Sequence, residues 1–146
     1  MIAIDTNLLV YAYREESPWH DEAHALLTEL ANGTQRWAVP WPCVHEFLAI
    51  VTNPRIFKPP TPIKVACDLV RAWMSSPSFL FIGEGTGYFD KLEELAVAAK
   101  VSGGAIHDAR IAAICRHHGV TELWSADRDF SRFAGFKTRN PLVGAR

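Results

Sequence analysis

Short apolar runs separated by helix-length segments recur along the whole chain, and this alternation is what most restricts its fold. Ile2 to Ile4, Trp37 to Val39, Phe79 to Ile82 and Thr121 to Ser125 each read as a buried strand, with Phe136 to Thr138 as a last short one. Asp5-Thr6-Asn7 turns the chain into the helical run LLVYAY, and Ser17-Pro18 is a cap and first-turn pair for a helix to about Ala31, stopped by Asn32-Gly33. Further helices are expected from Pro42 to Thr52, from the Thr61-Pro62 cap to about Ser75, from Tyr88 to Val101 and from Ala105 to His118. Strands that alternate with helices need crossover connections. The expected fold is therefore α/β, a mainly parallel sheet of roughly five strands covered by helices on both faces.

The length of 146 residues suits a single domain spanning 1–146, and 49% hydrophobic residues suffice for a sizeable core. The first residues, MIAIDTN, lack a basic leader, and no uncharged run approaches the length of a membrane span. A cytoplasmic protein without a membrane partner is expected. Cys43, Cys67 and Cys115 are odd in number, widely spaced and set among apolar residues, a pattern of reduced core thiols. The formal net charge of −1 argues against a nucleic-acid partner, unless bound metal neutralises several acids and turns the balance positive.

In parallel α/β sheets, polar groups just past the strand carboxyl ends line the ligand crevice. Asp5 and Asp127 occupy such positions, although each also reads as a helix cap, with Ser125 a rival cap beside Asp127. Glu46, in WPCVHEFLAIV, lies nearly opposite the stripe of Val44, Phe47, Leu48 and Val51, which leaves a solvated face and a functional one both open. Asp108, in GGAIHDARIAAIC, sits on a helix so rich in Ala and Ile that its carboxylate needs a partner, a cation or the helix dipole. Ionised carboxylates about 4 Å apart repel by roughly 4 kcal/mol at an effective dielectric near 20. Converging acids therefore call for a counter-cation, and hard oxygen ligands select Mg²⁺ or Mn²⁺.

The IDTN that follows the first strand, HEF on the helix after the second, HDARIAA on a late helix and SADRDF after the fourth together resemble the PIN-domain ribonucleases. Their order and spacing are most similar to the VapC toxins of bacterial type II toxin–antitoxin pairs, and the closing FKTRNPL shares that likeness. The resemblance implies a PIN-like three-layer α/β/α sandwich. It also implies an endoribonuclease that hydrolyses RNA phosphodiester bonds with Mg²⁺, or Mn²⁺ as a substitute, held by Asp5, Glu46, Asp108 and Asp127. Asp129 would be an auxiliary acid, and the hydroxyls of Thr6 and Ser125 would orient carboxylates or metal-bound water. A homodimer and a cognate VapB-type antitoxin follow from the same likeness. The RNA itself, whether transfer, ribosomal or messenger, is left open.

Arg14, Arg110 and Arg128 are candidates for phosphate contacts, and Trp19 or Trp41 for stacking on an unpaired base. His20 and His24 stand one helical turn apart, but HDEAH lacks the Glu directly after the first His that a zinc protease needs. GEGTG at 83–87 lacks the Lys-Ser/Thr ending of a phosphate loop. Two other readings stand beside the toxin: a housekeeping PIN ribonuclease in RNA maturation, and a non-catalytic PIN-like module that binds RNA or protein.

Overall fold

In the computed structural model, which describes residues 1–142, the expected alternation is present from end to end. The strands are β1 (Ile2–Ile4), β2 (Trp37–Pro40), β3 (Phe79–Ile82), β4 (Glu122–Trp124) and β5 (Lys137–Arg139). The helices are α1 (Thr6–Tyr13), α2 (His20–Asn32), α3 (Trp41–Val51), α4 (Ile63–Met74), α5 (Tyr88–Ala98) and α6 (Ile106–His117). Short 3₁₀ turns at Gly103–Ala105 and Arg128–Arg132 introduce α6 and β5.

The five strands form one sheet in the order β3-β2-β1-β4-β5, and every neighbouring pair is parallel. Right-handed crossovers decide which face each helix covers. From β1 to β2 to β3 the chain steps in one direction, so α1 to α4 share a face, and α1 packs on α2 and α3 while α3 packs on α4. The return from β3 to β4 reverses direction and sends α5 and α6, packed on each other, to the opposite face. The result is a three-layer α/β/α sandwich.

The central strands are buried on both faces, as parallel strands between two helical layers must be: Ala3, Ile4, Ala38, Val39 and Leu123 are inaccessible. Phe47 from one helical layer and Ala112, Ala113 and Ile114 from the other close the core. Trp37 lies edge-on to Phe79 with centroids 4.7 Å apart, and its indole N–H donates to Ser76 Oγ at 3.3 Å. Burial of a large aromatic is thus combined with satisfaction of its one polar atom. All three cysteines are free, Cys43 and Cys115 fully buried.

Two cap expectations are corrected. α2 starts at His20, because Ser17 spends its hydroxyl accepting from the Trp19 N–H at 3.1 Å, in a turn just before the helix. Thr61 does not cap α4; its hydroxyl instead accepts from Arg14 Nη1 at 3.1 Å.

Candidate active site

The strand order reverses between β1 and β4, each of which has its sequence neighbour on the far side, and such a switch point opens a crevice at the strand carboxyl ends. Ile4 is level with Trp124 in this pair, so the next residues, Asp5 and Ser125, emerge side by side. Asp5 caps α1: its Oδ1 accepts from the Thr6 N–H at 2.8 Å, while Oδ2 accepts from Ser125 Oγ at 2.6 Å. The cap and site readings of Asp5 are one arrangement, since the same bonds that start the helix fix the carboxylate.

Asn7, which the sequence reading passed over as a turn residue, ties the two strand ends together. Its Nδ2 lies 3.3 Å from Ser125 Oγ and 3.4 Å from Asp5 Oδ2, and its Oδ1 accepts from the Ala126 N–H at 3.1 Å. Ser125 Oγ accepts in turn from the Asp127 N–H at 2.9 Å, and Asp127 caps the following 3₁₀ turn by accepting from the Asp129 N–H at 2.8 Å. Ser125 and Asp127 each cap one step of the same turn, so the rivalry seen in the sequence is resolved by sharing. The pattern Asp-x-Asn could have flagged Asn7, but its partners Ser125 and Ala126 lie more than a hundred residues away in the chain.

Asp108 enters from the first turn of α6 on the other helical layer. One carboxylate oxygen each from Asp108, Asp127 and Asp129 lies within 4.8 Å of the others. Asp129 therefore belongs to the tightest part of the cluster. Glu46, on α3, stands at the accessible rim. Burial, followed by repulsion from Asp5 and Asp108, pushes its carboxyl above the usual range. Asp108 is raised by desolvation and then by Asp127, Asp5 and Asp129, with Arg132 only partly offsetting them. Asp5 is raised chiefly by burial, against the lowering effect of its hydrogen bonds. These mutual repulsions link all five acids in one electronegative cluster.

The donor set fits a hard divalent cation. Carboxylates this close repel by about 3–4 kcal/mol per pair at an effective dielectric of 20, and a bound cation would reverse the sign of that interaction. The Thr6 hydroxyl is buried and makes no well-formed hydrogen bond, although it sits near enough to Glu46 to offset part of that carboxyl's rise. An orphaned oxygen of this kind suits a metal-bound water. Zinc is disfavoured: Cys43 is the nearby thiol, 3.6 Å from Asp5 Oδ1, and burial holds it far into the protonated range.

The three candidate arginines separate. Arg14 is buried at the carboxyl end of α1, some two turns of helix from Asp5. There it pairs with Glu16 at 2.8 Å, donates to Thr61 and to the Pro59 carbonyl, and lies over the Phe57 ring. It is an internal clamp on the loop before α4. Arg110 is held by Glu84 across from α6. Arg128 stands exposed next to Asp127. His20 and His24 approach to 5.6 Å between ring centroids, but among the described residues no third ligand joins them. Trp41 is partly exposed at the start of α3 and stacks on Phe81.

A parallel sheet in this order, with acids gathered at its switch point, defines a class of α/β domains, and residues 2–136 match the PIN domain family. Ribonuclease VapC48 of Mycobacterium tuberculosis is 33% identical over 140 residues, covering 96% of this chain and 97% of the relative. Ribonuclease VapC43 of the same organism is 34% identical over 144 residues, covering 99% and 97%. The chain belongs to the VapC ribonucleases of the PIN-domain family. Its fold is shared with VapBC2 from Rickettsia felis bound to a DNA fragment from its promoter, at TM-score 0.69 and 17% identity over 95% of this chain and 98% of that one. The M. tuberculosis VapC20, a Sarcin-Ricin loop cleaving toxin, matches at TM-score 0.65 and 16% identity, covering 94% and 99%.

Proposed function

We propose that this protein is a metal-dependent endoribonuclease, the toxin of a type II toxin–antitoxin pair, which hydrolyses RNA phosphodiester bonds and so inhibits translation and growth. The observation that carries this reading is the convergence of Asp108, Asp127 and Asp129 within 4.8 Å, with Asp5 close enough to raise the Asp108 carboxyl. Asp5, Asp108, Asp127 and Asp129, with Glu46 at the margin, would hold Mg²⁺ or Mn²⁺. When bound, such an ion supplies a nucleophilic water and neutralises charge on the phosphodiester.

The chain's own groups do the rest. Thr6 N–H and Ser125 Oγ fix both oxygens of Asp5, which cannot rotate without breaking a buried hydrogen bond. Asn7 and Ser125 hold the Asp127 turn against Asp5, and so set the spacing of acids drawn from separate strands. The free hydroxyl of Thr6 orients a water beside Glu46. Hydrolysis by water leaves a 5′-phosphate and a 3′-hydroxyl, and no side chain becomes covalently attached.

A VapB-type antitoxin is the expected protein partner, since solved neighbours of the same fold are VapBC complexes. The active form is read as a homodimer of single PIN domains in the cytoplasm, and no helix among the described residues is long and apolar enough to cross a membrane. Brief induction followed by end-mapping of cellular RNA tests the reading, with Asp5→Asn as control. New 5′-phosphate ends at discrete sites are expected from the wild type alone. Identical end profiles in both strains would refute it.

A further inference from the structure

A pocket of about 280 Å³ adjoins the acid cluster on the β5 side, its wall mostly apolar in area but edged by Ser125, Asp127, Arg128, Ser131, Thr138 and Asn140. We propose that this pocket binds one unpaired base of the RNA, next to the phosphate being cut, and selects keto bases, guanine or uracil. The proposal rests on the ribonuclease reading above and adds to it a recognition element.

The pocket exists because of how β5 meets the 3₁₀ turn. Alternation along a strand puts Thr138 and the next-but-one residue, Asn140, on one face. The Ser125 N–H donates to the Arg139 carbonyl at 2.9 Å, which holds that face level with the acid-bearing loop. Asp127 forms a wall common to pocket and cluster. A base seated here therefore has its phosphate directed to the acids, and the volume suits a single ring system rather than a paired helix.

The free hydrogen-bonding groups set the selectivity. Asn140 Oδ1 is occupied by the Leu142 N–H at 3.0 Å, which leaves the amide Nδ2 as a donor. Ser131 Oγ donates to the Arg128 carbonyl at 2.8 Å. The Arg128 guanidinium, exposed and without an ion pair among the described residues, supplies further donors and a plane for stacking. Two of these groups, the Arg128 guanidinium and Asn140 Nδ2, donate, and so match carbonyl oxygens on the base edge, as when arginine reads O6 and N7 of guanine.

The test digests a randomised RNA pool with Mg²⁺ and sequences the ends, using wild type, Arg128→Ala, Asn140→Ala and Thr138→Val. The expected result is about tenfold enrichment of guanine or uracil at one position flanking the cut, reduced to about twofold or less in Arg128→Ala and Asn140→Ala. Arg128 is exposed, so its variant keeps the test valid if Asn140→Ala folds poorly. Unchanged enrichment in both variants, or no flanking preference in the wild type, overturns the proposal. A second arm titrates guanosine and uridine 5′-monophosphates into the isotope-labelled protein with Mg²⁺ and follows the amide signals of Ser131, Thr138 and Asn140. These should move with the nucleotides and stay still with inorganic phosphate alone. Equal movement with phosphate marks a phosphate subsite and refutes base selection. A protein that cuts no RNA yet binds the nucleotides here loses the ribonuclease reading and keeps the pocket; cleavage without nucleotide binding does the reverse.

Discussion

The hydroxyl of Ser125 donates to Oδ2 of Asp5 across 2.6 Å, joining the ends of two parallel strands that are 120 residues apart in the chain. Both residues are buried, at 2% and 6% exposure. A charge-assisted bond in such a setting contributes about 1.5–3 kcal/mol. Ser125→Ala should destabilise the fold by an amount in this range and lower Mn²⁺ affinity by about 10–100-fold. Denaturant melts and calorimetry read the two effects, and wild-type Mn²⁺ affinity in the variant would show that the bond does not position Asp5.

Thr6 separates structure from metal binding. Its buried hydroxyl makes no well-formed hydrogen bond, so Thr6→Val gives up only weak contacts toward Glu46 and Cys43 and should cost less than about 1 kcal/mol in stability. It should nevertheless weaken Mn²⁺ binding by about tenfold, with Thr6→Ser close to wild type. A large drop in melting temperature with unchanged Mn²⁺ affinity would assign Thr6 to packing instead.

The raised carboxyls of Asp5, Glu46 and Asp108 make the metal-free fold bind more protons than the unfolded chain. The stabilisation is complete below roughly pH 4, the ordinary carboxylate range, and is lost as pH rises through the raised values. Asp108→Asn should match wild type in melting temperature near pH 4. It should exceed wild type by about 2–5 °C at pH 7 in EDTA, from relief of about 1 kcal/mol of screened repulsion. Glu16 and Glu84, whose carboxyls are lowered by their arginines, act in the opposite direction and cancel in this comparison. A melting temperature below wild type at pH 7 would contradict the sign.

Arg14 is the control for a site-remote structural role. Replacing it by Ala removes the clamp on Thr61, the Pro59 carbonyl and Phe57, and should cost about 2 kcal/mol or more, discounted from a fully buried pair because Glu16 is largely solvated. Cleavage and Mn²⁺ binding at low temperature should stay within about twofold of wild type. A selective loss of RNA binding would return Arg14 to the substrate surface.

How much of this was legible in the sequence follows from which interactions are local. Strand β3 falls on Phe79–Ile82 as read, because a run of four apolar residues between turns has one reading. Helix starts were harder: Ser17 and Thr61 have the chemistry of caps, but a nearby N–H and a buried arginine compete for their hydroxyls. The acids were visible as residues at strand ends and on apolar helices. Their distances were not, since Asp108 meets Asp127 and Asp129 only when the two helical layers close over the sheet. Asn7 escaped for the same reason, its partners lying across the β1–β4 seam.

The most direct test incubates purified protein with a 5′-labelled structured RNA in Mg²⁺, in EDTA, and in Mg²⁺ with Asp5→Asn or Asp108→Asn. Internal cuts with Mg²⁺ are expected, with a loss of about 100-fold or more in EDTA and in each variant. Cleavage at the wild-type rate in EDTA, or by both Asn variants, would contradict a metal site built on these carboxylates.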